Sequence, residues 1–222
     1  MSKTIAIIPA RGNSKRLPKK NVKILGDVPL IAHSINYAIS NSDIIDEIYV
    51  TTDCDEIKRI ALDFGAKVID RPKELSGDLE PTITALKHAI SDIEDVGLVI
   101  LLQPTNPFRP LELLKEAYKI FVNNNINSLF TVSRDYRKYG KIIANKFKPF
   151  NYKIGQRSQD IDPLYFENGL LYITKASLIE EDIIFDELSY SLIVNHKFAE
   201  VDIDSQEDFD YAEYILENYN EE

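Results

Sequence analysis

Arg11, Lys15, Arg16, Lys19 and Lys20 place five cations within ten residues, with Gly12 and Ser14 among them. They follow directly on Thr4–Pro9 (TIAIIP), which reads as a fully buried strand. A strand feeding a loop of small and cationic residues is how α/β proteins hold phosphate groups. The loop is neither a Walker loop nor a G-x-G-x-x-G dinucleotide turn, since neither pattern is present. Its charge density suits a nucleoside triphosphate, whose phosphates it can bind and whose leaving pyrophosphate it can neutralise. A solvated basic loop is the plain alternative. Position at a strand end favours phosphate.

The charge distribution sharpens the contrast. Residues 1–26 hold seven lysines and arginines and no acid, in a chain of formal net charge −10. The other 196 positions carry 19 basic and 36 acidic residues. Such a balance argues against a nucleic-acid or membrane-surface partner, which needs a broad basic face. No apolar run approaches the roughly 20 residues of a membrane span, and the N-terminus lacks a signal-peptide pattern. One cysteine, Cys54, makes neither a disulfide nor a cysteine-rich zinc site. A cytoplasmic protein is expected. His33, His88 and His196 lie in unlike segments without metal-ligand spacing, so they and Cys54 read as structural.

The elements that must position the loop alternate. Leu30–Ile39 reads as a helix with Pro29 at its start, Ile48–Thr52 as a strand, and 54–64 as a helix ended by Gly65. Ala66–Ile69 is a short strand, Thr82–Ile93 a helix, Leu98–Gln103 a buried strand, Pro110–Phe121 a helix and Ser128–Val132 a strand. This order predicts a doubly wound, mostly parallel α/β sheet with ligands at the strand C-terminal ends. Residues 134–167, rich in Tyr, Lys, Asn and Pro, are too long for a plain loop and predict a small protruding subdomain. Residues 1–133 and 168–222 form the α/β nucleotide-binding domain around it. Leu170–Thr174 and Phe198–Ile203 are expected strands, and Gln206–Glu217 a terminal helix.

Seven segments resemble one family. They are I-P-A-R-G-x-S-K-R-x-P-x-K-N at 8–21, T-T-D at 51–53, R-P-x-E-L at 71–75, L-L-Q-P-T-x-P-x-R at 101–109, R-S-Q-D at 157–160, N-G-x-x-Y-I at 168–173 and D-I-D at 202–204. Each is weak alone. In this order they resemble the CMP-sialic acid synthetase (acylneuraminate cytidylyltransferase) family, including its pseudaminic and legionaminic acid relatives, along nearly the whole chain.

The resemblance implies a nucleotide-diphospho-sugar transferase-like fold and coupling of CTP to a nine-carbon 2-keto sugar acid, with release of pyrophosphate. Arg11, Ser14, Lys15 and Lys20 match the family's phosphate-loop positions, and Asn21 a nucleotide-holding one. Lys20, with Arg11 and Lys15, is the expected catalytic cation at the α-phosphate. Arg71, Thr82 and Gln103 match positions around the cytosine ring, whose edge needs the donor and acceptor that an amide supplies. Lys141, Arg157 and Gln159 match sugar-acid positions, and an arginine fork suits a carboxylate. The family's 134–167 region forms a homodimer interface that reaches the partner's active site. Asp202 and Asp204, two apart in an expected extended segment, should share one face and offer hard oxygens to Mg²⁺. The alternative for this pair is a helix start, with Ser205 and Asp208 as a capping box.

Other readings stay open. A synthetase for the eight-carbon acid Kdo shares a related fold, although R-S-Q-D and N-G-x-x-Y-I speak against it. Within the nine-carbon group the motifs divide between sialic acid and the pseudaminic and legionaminic types. A non-catalytic nucleotide-sensing module would not need both late carboxylates. A glycosyltransferase would carry its D-x-D mid-chain.

Overall fold

The computed structural model describes residues 2–219. In chain order the strands are β1 (Lys3–Pro9), β2 (Ile24–Leu25), β3 (Val28–Pro29), β4 (Glu47–Thr52), β5 (Lys67–Asp70), β6 (Val96–Leu101), β7 (Ser128–Asp135), β8 (Gly140–Ile143), β9 (Lys146–Pro149), β10 (Leu164–Lys175) and β11 (Tyr190–Ile193). The helices are α1 (Leu30–Ser40), α2 (Asp55–Asp63), α3 (Thr82–Ser91), α4 (Leu113–Asn123), α5 (Ala176–Glu180) and α6 (Gln206–Asn218).

Seven strands form one sheet in the order β11-β7-β10-β6-β1-β4-β5. All of its ladders are parallel except the two made by β10. The apolar run of β1 explains its central place. Ala6 and Ile8 pack on one side with α1, α2, α4 and α6, while Ile5 and Ile7 pack on the other with α3 and α5. A strand covered on both faces reads as continuous hydrophobicity rather than alternation. Helices on both faces of a mostly parallel sheet make the doubly wound α/β class that the sequence predicts.

Parallel β1, β4 and β6 bring their C-terminal ends to one edge. The loops after Pro9, Thr52 and Leu101 meet there, where such sheets bind ligands. Since β10 runs the other way and pairs Tyr172 with Leu101, its preceding Asn168–Leu171 segment reaches the same edge. β7 and β10 also run on together, pairing Asp135 with Leu164. Between them β8 and β9 form a separate hairpin.

The expected strand over Phe198–Ile203 is not formed. Residues Lys197–Glu200 make a 3₁₀ turn, and residues 201–203 join no sheet. The polar groups of this run are engaged elsewhere: Ile203 N–H donates to Thr105 O at 2.8 Å, and Val201 O accepts from Asn106 Nδ2 at 2.9 Å. β10 already occupies the free side of β6. The capping box of α6 does form, with Ser205 Oγ accepting from Asp208 N–H and the Asp208 carboxylate from Ser205 N–H. Among the described residues, no helix is long and apolar enough to cross a membrane.

Candidate active site

The loop after β1 is held at several points. Asn21 Nδ2 donates to Arg11 O at 3.0 Å, tying its end to its beginning. Gly12 N–H donates to Asp53 Oδ1 at 2.8 Å, fastening it to the end of β4. Gly12 also lies against α2: a Cβ there would stand 2.8 Å from Cys54 Cβ. Lys19 takes a left-handed turn, φ 56°, which delivers Lys20 inward, where only 8% of its surface is exposed. Its ammonium donates to Ile203 O at 2.6 Å and Asp204 Oδ1 at 3.0 Å. Arg16 reaches Asp204 Oδ2 at 2.6 Å.

Three carboxylates therefore face the loop's cations. Asp204 is one, and Glu56 pairs with Lys19 at 3.0 Å. Asp78 is the third, pairing with Arg11 at 2.9 Å and with Lys15. The Lys15 ammonium holds the Asp78 carboxyl below the usual carboxylate range, aided by Arg11. Sequence reading missed Asp78, because nothing local connects an acid in a G-D turn with a loop some sixty residues earlier.

Arg11, Lys20, Asn21, Arg71, Thr82, Gln103 and Asp204 line a cavity of about 270 Å³. Ser14, Lys15 and Arg16 line an adjoining cleft with Arg11, Lys20 and Asp78. The structure thus brings together the sequence-derived phosphate-loop and base-reading positions. Arg71 is buried, its Nε has no protein partner, and burial lowers its pKa, opposed by the charge of Asp53 and aided by that of Arg11. A buried guanidinium with an unused donor is prepared for a polar ligand. Thr82 opens α3, behind Pro81, which caps no amide with its side chain.

Gln103 also lines a second cavity, of about 600 Å³, with Asn106, Arg134, Glu167, Tyr172 and Asp202. The Tyr172 hydroxyl donates to Glu167, and burial, then Glu167, raises the tyrosine's pKa. Lys141, Arg157 and Gln159 are not on its walls. Lys141 is exposed on β8, Gln159 is exposed in the turn Ser158–Asp160, and exposed Arg157 pairs with Asp160 at 2.7 Å.

Asp202 and Asp204 do not share one wall. Asp204 faces the first cavity and Asp202 the second, although burial alternates along the run, with Val201 and Ile203 inward and both acids outward. The two stay coupled. Burial, then the charge of Asp204, raises the Asp202 carboxyl above its usual range, against a hydrogen bond from Thr105. Among the described residues no group of three or more metal-binding side chains occurs. The remaining sequence candidates are structural as expected: His33 Nε2 meets Leu25 O at 2.9 Å, and Cys54 packs under Gly12.

Comparisons with known proteins identify the family. The profile of the cytidylyltransferase family matches residues 5–221. A pseudaminic acid cytidylyltransferase of Campylobacter jejuni is 36% identical, over 99% of this chain and 98% of that protein. An N-acylneuraminate cytidylyltransferase of Streptococcus agalactiae is 34% identical over 93% of this chain, which spans 52% of its length. The solved structure of a CMP:2-keto-3-deoxy-manno-octonic acid synthetase complexed with CTP shares the fold at a TM-score of 0.73, with 15% identity over 97% of this chain and 99% of that one. A cationic loop beside a base-sized cavity, and matches along almost the whole sequence, lead to one conclusion: the chain belongs to the cytidylyltransferase family.

Proposed function

We propose that the protein transfers CMP from CTP to a nine-carbon 2-keto sugar acid, sialic acid or a relative, releasing pyrophosphate. The observation that carries this reading is the meeting of two unlike cavities at Gln103, one bordered by the cationic loop and one not. The activities for which the Campylobacter and Streptococcus relatives are named point the same way.

In this reading CTP lies in the first cavity. Arg71, Thr82 and Gln103 read the base, Asn21 holds the nucleotide, and Arg11, Ser14 and Lys15 hold the phosphates. The sugar acid enters the second cavity, and its anomeric hydroxyl attacks the α-phosphorus in line. A bond forms from that oxygen to the α-phosphorus, the bond from the α-phosphorus to the bridging oxygen breaks with its electron pair leaving on pyrophosphate, and the hydroxyl proton passes to water. Lys20, fixed between the loop and Asp204, stabilises charge at the α-phosphate. Most of the acceleration comes from positioning and electrostatics.

Asp202 and Asp204 fit a divalent cation. Mg²⁺ takes one or two carboxylates and completes its shell with water and substrate phosphates, and positive charge would relieve the repulsion between these two acids. When bound there it supplies charge neutralisation at the phosphates. Lys141, Arg157 and Gln159, remote from their own cavity, serve the partner's sugar site in a homodimer built on 134–167. Exposed Ile142, Phe147, Phe150 and Ile154 give that region an apolar face, as a subunit interface requires. Free CTP, the family substrate, belongs to the cytoplasm, where we place the protein.

A panel of nine-carbon acids and Kdo, each with CTP and Mg²⁺ and read as pyrophosphate release, tests the reading. Turnover with a nine-carbon acid is expected. Release with Kdo alone would move the protein to the eight-carbon class, and release with none would remove the enzymatic reading.

A further inference from the structure

Asn106 is 2% exposed and has no role in the chemistry described above. Both hydrogens of its amide nitrogen are spent, one on Asn168 O at 3.1 Å and one on Val201 O at 2.9 Å. Its Oδ1 accepts from Thr105 Oγ1 at 3.1 Å. Its backbone N–H closes the turn on Gln103 O at 3.2 Å. One side chain thus joins three segments: the turn carrying Gln103, the β10 bulge where the register with β7 shifts between Glu167 and Tyr172, and the run carrying Asp202 and Asp204.

The bulge is shaped around this amide. Gly169 has φ +71°, and a Cβ there would lie 2.4 Å from Asn106 Oδ1. The run that receives the other hydrogen bond has no ladder to hold it. Its further fastenings include Ile203 N–H on Thr105 O, Val201 N–H on Phe198 O, Thr105 on the Asp202 carboxylate, Lys20 on Ile203 O and Asp204, and Asp204 N–H on Asp208. Arg16 pairs with Asp204 as well. Lys20 and Arg16 are phosphate-loop cations that a polyanion would engage. Asn106 is neutral and remains available when they are recruited.

We propose that Asn106 is a positioning residue that sets Asp202 and Asp204 against Gln103 at the junction of the two cavities. The inference rests on the cytidylyltransferase reading of that junction. A neutral side chain must supply two donors to two different segments here. Serine supplies one, leucine none, and an ionised aspartate would set a carboxylate against two carbonyl oxygens.

The test uses the full-length protein with Asn106→Ser and Asn106→Leu. Asn41→Ser is the control, because Asn41 is equally buried, donates to Tyr37 O, and lines neither cavity. Three quantities are read: kcat and KM for CTP, the half-saturating Mn²⁺ concentration of the CTP-loaded protein by electron paramagnetic resonance, and amide hydrogen exchange over 201–205. For Asn106→Ser, kcat should fall and the Mn²⁺ half-point rise by roughly 10-fold or more, as for other groups that orient metal ligands. KM for CTP should stay within about twofold, since the base and phosphate contacts are untouched. Exchange over 201–205 should quicken in Asn106→Ser and stay at the wild-type rate in Asn41→Ser. Wild-type Mn²⁺ binding and exchange in Asn106→Ser, or equal changes in the control, would overturn the proposal. If Asn106→Leu does not fold, the serine variant decides. If the wild-type protein releases no pyrophosphate, the functional reading falls, while the exchange rates still decide whether the amide holds the run.

Discussion

Gly12→Ala probes the phosphate loop without touching a charge. The new methyl would lie 2.8 Å from Cys54 Cβ and 3.2 Å from Cys54 Sγ. Carbon atoms rest about 3.5–4.0 Å apart, so the loop must lift by about an ångström. Cys54 Cβ cannot swing away, because it is fixed to the backbone at the start of α2. Lifting stretches the 2.8 Å hydrogen bond from Gly12 to Asp53 beyond useful length. Overpacking costs about 1–3 kcal/mol, and water partly replaces the lost bond at this half-exposed position. A net cost of about 2–3 kcal/mol lowers Tm by roughly 5–10 °C at this chain length. KM for CTP rises as Arg11 and Ser14 move with the loop. Cys54→Gly supplies the check, since it removes both atoms that the methyl meets, at a cost of about 1–2 kcal/mol for the packing Cys54 makes on the core. The double variant should regain the CTP KM and be more stable than the summed single effects, with a coupling energy of about 1–2 kcal/mol by thermal melts. Additive single effects, within about 0.5 kcal/mol, would refute the close contact and the route from it to the phosphates.

Lys20→Met should lower kcat by roughly 10²–10³ with an unchanged circular dichroism spectrum; near-normal turnover would remove Lys20 from the chemistry. Asp78→Asn should lower KM for CTP by roughly two- to fivefold, the scale of a solvent-exposed ion pair, because Asp78 competes for Arg11 and Lys15. A higher KM would mean that Asp78 builds the loop instead. Arg137 hydrogen bonds, aided by Tyr139, pull the Asp135 carboxyl from 3.8 to about 2. Its folded value lies below its unfolded one, so its stabilisation is complete above about pH 4 and is lost as pH falls toward about 2. Asp135→Asn should erase that part of the acid limb in denaturant titrations; an unchanged limb would show the pairing has no weight. Lys20→Met mixed with Arg157→Ala should, after subunit exchange, recover roughly a quarter of wild-type turnover, because half the dimers then hold one intact shared site of two. No recovery would count against shared sites.

The chemistry nearest the start of the chain was the most legible. A buried strand followed by a run of cations is local, and the burial of Ile5–Ile8 on both faces bears out the strand. Helices were legible because their apolar spacing repeats, and α6 because Ser205 and Asp208 state its start. Phe198–Ile203 was misread since its apolar content suits a strand, while the partner that captures it, the Gln103–Asn106 turn, is distant in sequence. The antiparallel course of β10 was hidden for the same reason. Asp202 and Asp204 were visible as a pair, yet which cavity each one lines depends on the distant segments that form those cavities. Asp78, Asn106 and Glu167 carry no local pattern, and only the folded chain brings Asp78 to the cationic loop and the other two to the second cavity.

A crystal structure of the protein with CTP and Mg²⁺ bears most directly on where the nucleotide sits. Triphosphate is expected on Arg11, Ser14, Lys15 and Lys20, the base beside Arg71 and Gln103, and Asp78 released from its cations. A nucleotide bound elsewhere, with Asp78 still paired to Arg11 and Lys15, would contradict that placement and the chemistry built on it.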